Sequence, residues 1–113
     1  MKIHSISQKN LNNAAHLLLK SGIVAFPTET VYGLGAVASD DEAVNRVYKI
    51  KKRPKNNPLI VHIHSIEQVK SIVQIVPDYA NKLIEKFWPG PLTLILPYKK
   101  NGHVSKQARA NLN

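Results

Sequence analysis

Gly22-Ile23-Val24-Ala25-Phe26-Pro27-Thr28-Glu29-Thr30-Val31-Tyr32-Gly33-Leu34-Gly35 decides the reading of this chain. Ile23 to Phe26 is a short apolar run closed by Pro27, which predicts a strand buried on both faces. Thr28 to Gly35 then loses all periodicity and delivers two hydroxyls, a carboxylate, a phenol and two glycines into one irregular loop. Glycines allow backbone N–H groups close to a ligand, and ligands collect at the open ends of strands in α/β sheets. The same residue types also build a structural turn whose polar groups satisfy one another. Gly33-Leu34-Gly35 is no dinucleotide fingerprint, and no Walker A sequence occurs anywhere in the chain.

Working outward, Leu11, Ala14, Ala15, Leu18 and Leu19 repeat as one helical stripe over Leu11 to Lys20, stopped by Gly22. Downstream, Ser39-Asp40-Asp41-Glu42 reads as a capping box. It opens a helix with Val44, Val47, Tyr48 and Lys51 on one face, ending before Pro54. Leu59 to His64 predicts a strand, with Leu59, Val61 and Ile63 facing one way and Ile60, His62 and His64 the other. A second capping box, Ser65 to Gln68, opens a short helix. After Pro77, Tyr79, Ala80, Leu83, Ile84 and Phe87 repeat at helical spacing up to Trp88-Pro89-Gly90-Pro91. Leu92 to Leu96 predicts another strand, Lys99 to Gly102 a turn, and Val104 to Asn113 has helical composition. The order α-β-loop-α-β-α-α-β, without internal repeat or linker, predicts an α/β layered domain.

A chain of 113 residues holds one small domain, and 43% hydrophobic with 20% charged residues separates it from disordered and low-complexity chains. Without cysteine there is no disulfide framework, no cysteine-containing zinc site and no thiol nucleophile, which suits a reducing cytoplasm. No apolar run approaches the roughly 18 residues of a membrane span, so no membrane partner and a cytoplasmic location are expected. The net charge of +9 is unevenly spread. In residues 1–48, Lys2, Lys9, Lys20 and Arg46 balance Glu29, Asp40, Asp41 and Glu42, whereas Lys49, Lys51, Lys52, Arg53 and Lys55 stand together without an acid. Such a cluster suits a phosphate-rich partner, and it equally suits a solvated helix end.

Lys51-Lys52-Arg53-Pro54 has the most chemistry in this cluster, because an Arg fork and a flexible ammonium could hold a triphosphate from two directions. Cations at a helix C-terminus also complement the macrodipole. His62 and His64 share a predicted strand face, but no third ligand is evident, so no metal site is expected. Asp40, Asp41 and Glu42 fit helix capping better than a metal cluster. Trp88-Pro89-Gly90-Pro91 serves either as an aromatic platform or as a helix-to-strand corner with a packed indole.

Taken in order, Gly22 to Gly35, Lys51-Lys52-Arg53-Pro54, Asn57-Pro58-Leu59-Ile60-Val61-His62 and Trp88-Pro89-Gly90-Pro91-Leu92-Thr93 resemble the YrdC-like family, the threonylcarbamoyl-AMP synthases. The Pro27 to Gly35 loop followed by Lys-x-Arg-Pro is far more specific than any generic glycine pattern. The resemblance implies an α/β fold, a mixed twisted open sheet with flanking helices, formed by residues 1–113 as a single domain incomplete at its C-terminus. It implies synthesis of threonylcarbamoyl-AMP from L-threonine, bicarbonate and ATP with release of pyrophosphate, for modification of tRNA.

Lys51 and Arg53 would then be the catalytic, nucleotide-binding pair, contacting the phosphates as the carbamate attacks the α-phosphorus. Thr30 and Tyr32 would line the threonine and carbamate pocket, with His62 as a neighbour. Magnesium would accompany ATP. Family members continue into an Arg-x-Pro-x-His type segment and a Pro-Ser-Ala-Asn stretch, which this sequence does not contain. Impaired activity as a truncated fragment is therefore expected, and a residual fragment without activity stays open. A further alternative is a non-catalytic basic module binding tRNA or double-stranded RNA through residues 49–55, although no RNP, KH-type or RGG signature is present.

Overall fold

The computed structural model describes residues 2–112. In chain order it contains α1 (Gln8–Leu19), β1 (Val24–Pro27), β2 (Tyr32–Gly35), α2 (Asp41–Lys51), α3 (Ile66–Ile72) and α4 (Asp78–Phe87). β1 and β2 pair antiparallel, with Val24 opposite Gly35, Ala25 opposite Leu34, Phe26 opposite Gly33 and Pro27 opposite Tyr32.

Side chains that satisfy free backbone N–H groups set the helix starts. Ser7 accepts from the Asn10 amide at α1, and Ser65 accepts from Gln68 at α3, as the second capping box predicts. At α2 the cap is Asp40, one residue later than the Ser39 start, and its carboxylate accepts from the Ala43 amide at 2.9 Å. Asp caps as well as Ser does, so the backbone decides between neighbours. Pro77 occupies the cap position of α4 rather than its first turn.

Three expectations about strands need correction. Residues 24–27 are not buried on both faces: Val24 and Phe26 are half-buried, while Ala25 and Pro27 are exposed. Residues 32–35, expected as irregular loop, form β2. Leu59 to His64 and Leu92 to Leu96 alternate half-buried and exposed residues as strands do, yet neither joins a ladder. Leu59 N–H reaches the Ala108 carbonyl at 2.8 Å, and beyond the second segment Gln74 N–H reaches the Pro97 carbonyl at 2.8 Å. Ile60 and Ile95 on these segments are 64% and 96% exposed. Alternation is a property of one segment, whereas a strand also needs a paired neighbour.

The core lies on α2, where Val44 and Tyr48 are buried together with Val104 and Ala108, and Leu59, Val61, Ile72 and Tyr98 pack around them. The 104–112 segment is a series of turns rather than the expected helix, and Asn113 lies outside the described residues. Ala110 and Asn111, with φ of 51° and 61°, are left-handed, which halts helical winding. The segment is held by Ser105, whose hydroxyl donates to Asp41 and whose amide donates to the Ala38 carbonyl at 2.8 Å. Arg109 stacks 3.7 Å from the Tyr98 ring centroid. By contrast, the stripe of α1 buries no residue completely, and Leu19 is exposed. The radius of gyration of 14.8 Å exceeds the roughly 13 Å of a compact chain of about 100 residues, in keeping with so thin a core.

Two cap carboxylates predict acid sensitivity. Asp40 is held below the ordinary carboxylate range, first by the Ala43 amide, and Glu67 likewise, first by its own backbone amide and then by the Ser65 hydroxyl. A depressed folded pKa gives stability that is present above the unfolded value and lost as pH falls through the folded one. The melting temperature should therefore fall as pH drops below about 4. Asp40→Asn, which keeps a capping oxygen without titrating, should flatten that limb in melts followed by circular dichroism from pH 7 to pH 3. An equally steep limb in the variant would contradict the assignment.

Candidate functional site

The β1–β2 hairpin brings its loop to one end of the sheet, and a single hydroxyl organises that loop. Thr28 Oγ1 accepts from the Thr30 amide at 3.3 Å and the Val31 amide at 3.2 Å, and donates to the Val31 carbonyl. With the turn closed internally, Thr30 and Tyr32 are left exposed, Tyr32 at the mouth of the hairpin opposite Pro27. Sequence reasoning missed the role of Thr28. The available signal was a Thr two and three residues before further backbone amides, the spacing at which a hydroxyl closes a turn.

The glycines of this hairpin serve packing. A Cβ on Gly35 would stand 2.6 Å from the Phe26 ring, and one on Gly33 3.1 Å from it. The Phe26 ring therefore lies across β2 where only glycine leaves room. Phe26 also meets His62 edge to face, with ring centroids 5.7 Å apart and planes at 80°. One aromatic ring thus joins the hairpin bearing Thr30 and Tyr32 to the extended segment bearing His62. The His62 Nδ1 lies 3.2 Å from the Ile60 carbonyl. His64 turns to Gln68 instead, with its Nδ1 2.7 Å from Oε1, so the two histidines have separate partners. Among the described residues no group of three or more His, Asp or Glu side chains could hold a metal ion.

The cationic motif is divided by a backbone reversal. Lys51 is the exposed last residue of α2, and Lys52 caps the helix in the left-handed region at φ 49°. That conformation costs a non-glycine residue about 1 kcal/mol, and it turns Arg53 off the helix axis. The Arg53 amide donates to the Tyr48 carbonyl at 3.0 Å. Its guanidinium folds over the following loop: Nε donates to the Asn57 carbonyl at 3.1 Å, and Nη2 to Asn57 Oδ1 at 2.7 Å and the Pro58 carbonyl at 2.8 Å. Among the described residues Nη1 has no hydrogen-bond partner. Below this loop the buried Tyr48 hydroxyl contacts the Asn57 carbonyl at 2.9 Å and the Gln107 carbonyl at 3.0 Å, and burial pushes its pKa up. The phenol therefore stays protonated as a donor at neutral pH.

The predicted residues fall into two groups. Thr30 and Tyr32 lie on the β1–β2 hairpin and His62 packs on the Phe26 ring of that hairpin, whereas Lys51 and Arg53 flank the end of α2. No hydrogen bond or ring contact joins the groups among the described residues. The chain itself connects them, since Arg53 grips Pro58 and the next residues run out to His62.

The α/β chain thus presents an exposed hairpin loop carrying Thr30 and Tyr32 and, apart from it, a cationic helix end. The Sua5/YciO/YrdC family model, described as "Telomere recombination", matches residues 16–113, and the chain belongs to that family. The chain is 50% identical over 92 residues to a threonylcarbamoyl-AMP synthase of Pyrococcus abyssi, covering 81% of this chain and 27% of the relative. A Bacillus subtilis protein of the same name is 50% identical over 95 residues, 84% of this chain and 28% of its own length. One from Psychromonas ingrahamii is 38% identical over 98 residues, covering 85% and 51%. Thus the chain spans between about a quarter and a half of these relatives.

Among solved structures, Pyrococcus abyssi Sua5 complexed with L-threonine superposes with a TM-score of 0.88 at 44% identity. The match covers 96% of this chain and 32% of that one. A substituted form of the same protein gives a TM-score of 0.89, covering 96% and 33%. The α/β fold expected from the sequence therefore stands, with its sheet reduced here to one hairpin.

Proposed function

We propose that residues 1–113 form the N-terminal part of a threonylcarbamoyl-AMP synthase domain, contributing one side of its threonine and ATP site. The observation carrying this reading is the close superposition on a relative complexed with L-threonine, with the Thr30 loop and the Lys51–Arg53 corner on the matched chain. In the proposed reaction the threonine amine and bicarbonate combine, losing water, to give a carbamate. A carbamate oxygen then attacks the α-phosphorus of ATP, the bond to the β-phosphate oxygen breaks, and pyrophosphate leaves.

Lys51 and the free Nη1 edge of Arg53 would bind the phosphates and stabilise charge moving onto the leaving group. Thr30 and Tyr32 offer hydroxyls for threonine and its carbamate, with His62 beside them. The described residues supply no metal cage, so magnesium would arrive with ATP, bound by its phosphates. The product would serve tRNA modification in the cytoplasm. Exposed Lys49, Lys51, Lys52 and Lys55 would add a sequence-independent contact to tRNA or double-stranded RNA. No helix among the described residues is long and apolar enough to cross a membrane.

The reading is testable in a fusion of residues 1–113 to the remaining part of the Pyrococcus relative. Thr30→Ala in that fusion should raise the threonine concentration for half-maximal pyrophosphate release at least about threefold, the worth of a lost hydroxyl hydrogen bond. Turnover at saturating threonine should change little. A change confined to the ATP requirement would remove Thr30 from the threonine pocket.

A further inference from the structure

Arg53 spends its guanidinium unevenly. Of its five N–H donors, Nε and Nη2 are committed to Asn57 and Pro58, at 3.1, 2.7 and 2.8 Å, while Nη1 has no partner among the described residues. Asn57 takes two of those three bonds, one through its carbonyl and one through Oδ1. Its carbonyl is itself held at 2.9 Å by the hydroxyl of Tyr48, which is 3% exposed and belongs to the core. A continuous set of hydrogen bonds thus runs from the core, through an exposed loop residue, to a half-buried cation.

We infer that Asn57 is a positioning residue for Arg53: it occupies the Nε–Nη2 edge, so that the guanidinium meets a phosphate end-on through Nη1. This inference rests on the proposed phosphate role of Arg53 and names the residue that sets its geometry. It also departs from the fork-like grip that an unencumbered arginine would make, because the edge needed for a side-on bidentate contact is already filled. An arginine fixed before the ligand arrives loses less side-chain freedom on binding, and that saving is the contribution of Asn57.

The test uses the 113-residue chain with inorganic pyrophosphate as the probe, titrated by calorimetry against wild type, Arg53→Lys, Asn57→Ala and the double variant. Asn57→Ala removes Oδ1 and leaves the two backbone carbonyls in place, and it should weaken binding at least about threefold, the worth of one hydrogen bond to a charged group. The same change made on top of Arg53→Lys should cost nothing further, since Asn57 acts only through the guanidinium. A second readout needs no variant: the Arg53 Nε–Hε resonance of the wild type should exchange slowly and show a heteronuclear NOE near that of the α2 backbone. Wild-type affinity in Asn57→Ala, equal losses in both backgrounds, or an averaged, fast-exchanging Nε–Hε would each overturn the inference. If Arg53→Lys weakens binding and Asn57→Ala does not, only the positioning role falls. If wild type does not bind pyrophosphate, or Arg53→Lys binds it equally well, the phosphate reading falls and the inference with it.

Discussion

Lys51→Ala and Arg53→Ala, each made in the fusion to the Pyrococcus remainder, are expected to lower pyrophosphate release at least about tenfold, or about 1.4 kcal/mol of transition-state stabilisation. The expectation follows from where the two cations sit. Lys51 ends α2 as an exposed ammonium on a flexible stem, and Arg53 follows the left-handed Lys52 with one guanidinium nitrogen uncommitted. Charge moving onto the leaving pyrophosphate would be stabilised more strongly by these two cations than the ground state is, so turnover should fall as well as affinity. The competing account makes both residues partners of the helix C-terminus alone. It predicts a loss of only a few tenths of a kcal/mol in stability, with turnover intact. Arg53 carries a second cost, because its removal also frees the Asn57–Pro58 turn. Comparing the melting temperatures of the two variants separates that structural cost from the catalytic one.

Tyr48→Ala should cost about 3 to 5 kcal/mol, as truncation of a buried aromatic does elsewhere. Tyr48 packs with Val44, Val104 and Ala108, and its hydroxyl ties the 54–58 loop to the 104–112 turns through Asn57 and Gln107. A loss of that size is a large share of the stability of a small domain, so the urea midpoint of this variant should fall steeply. Tyr48→Phe keeps the ring and leaves the Gln107 carbonyl without its hydroxyl donor, while the Asn57 carbonyl keeps the Arg53 Nε–H, for about 1 to 3 kcal/mol. Urea denaturation followed by circular dichroism measures both. A Tyr48→Ala chain as stable as wild type would mean that the core does not centre on α2.

The four helices were legible because periodicity and caps are local. Leu83 and Ile84 follow Ala80 at helical spacing, and Ser65 caps α3 three residues before Gln68. β2 was not legible, since Tyr32-Gly33-Leu34-Gly35 lacks β-branched residues and its glycines answer to the Phe26 ring on the facing strand. Leu59 to His64 and Leu92 to Leu96 show the opposite failure: the alternation was read correctly, and the pairing it implied is not present among the described residues.

For the candidate site, Thr30, Tyr32, His62, Lys51 and Arg53 were singled out by residue type and by the family resemblance. Thr28 and Asn57 were not, because both act on backbone groups of neighbouring residues. Their contribution depends on the path of the chain, which their own chemistry does not specify.

The most direct measurement is pyrophosphate release by the fusion with L-threonine, bicarbonate and ATP present, repeated with each omitted in turn. A carbamate nucleophile is made from threonine and bicarbonate together, so release should fall to background when either is withheld, and Arg53→Ala should lower the complete rate at least about tenfold. Release that continues without threonine would contradict the account.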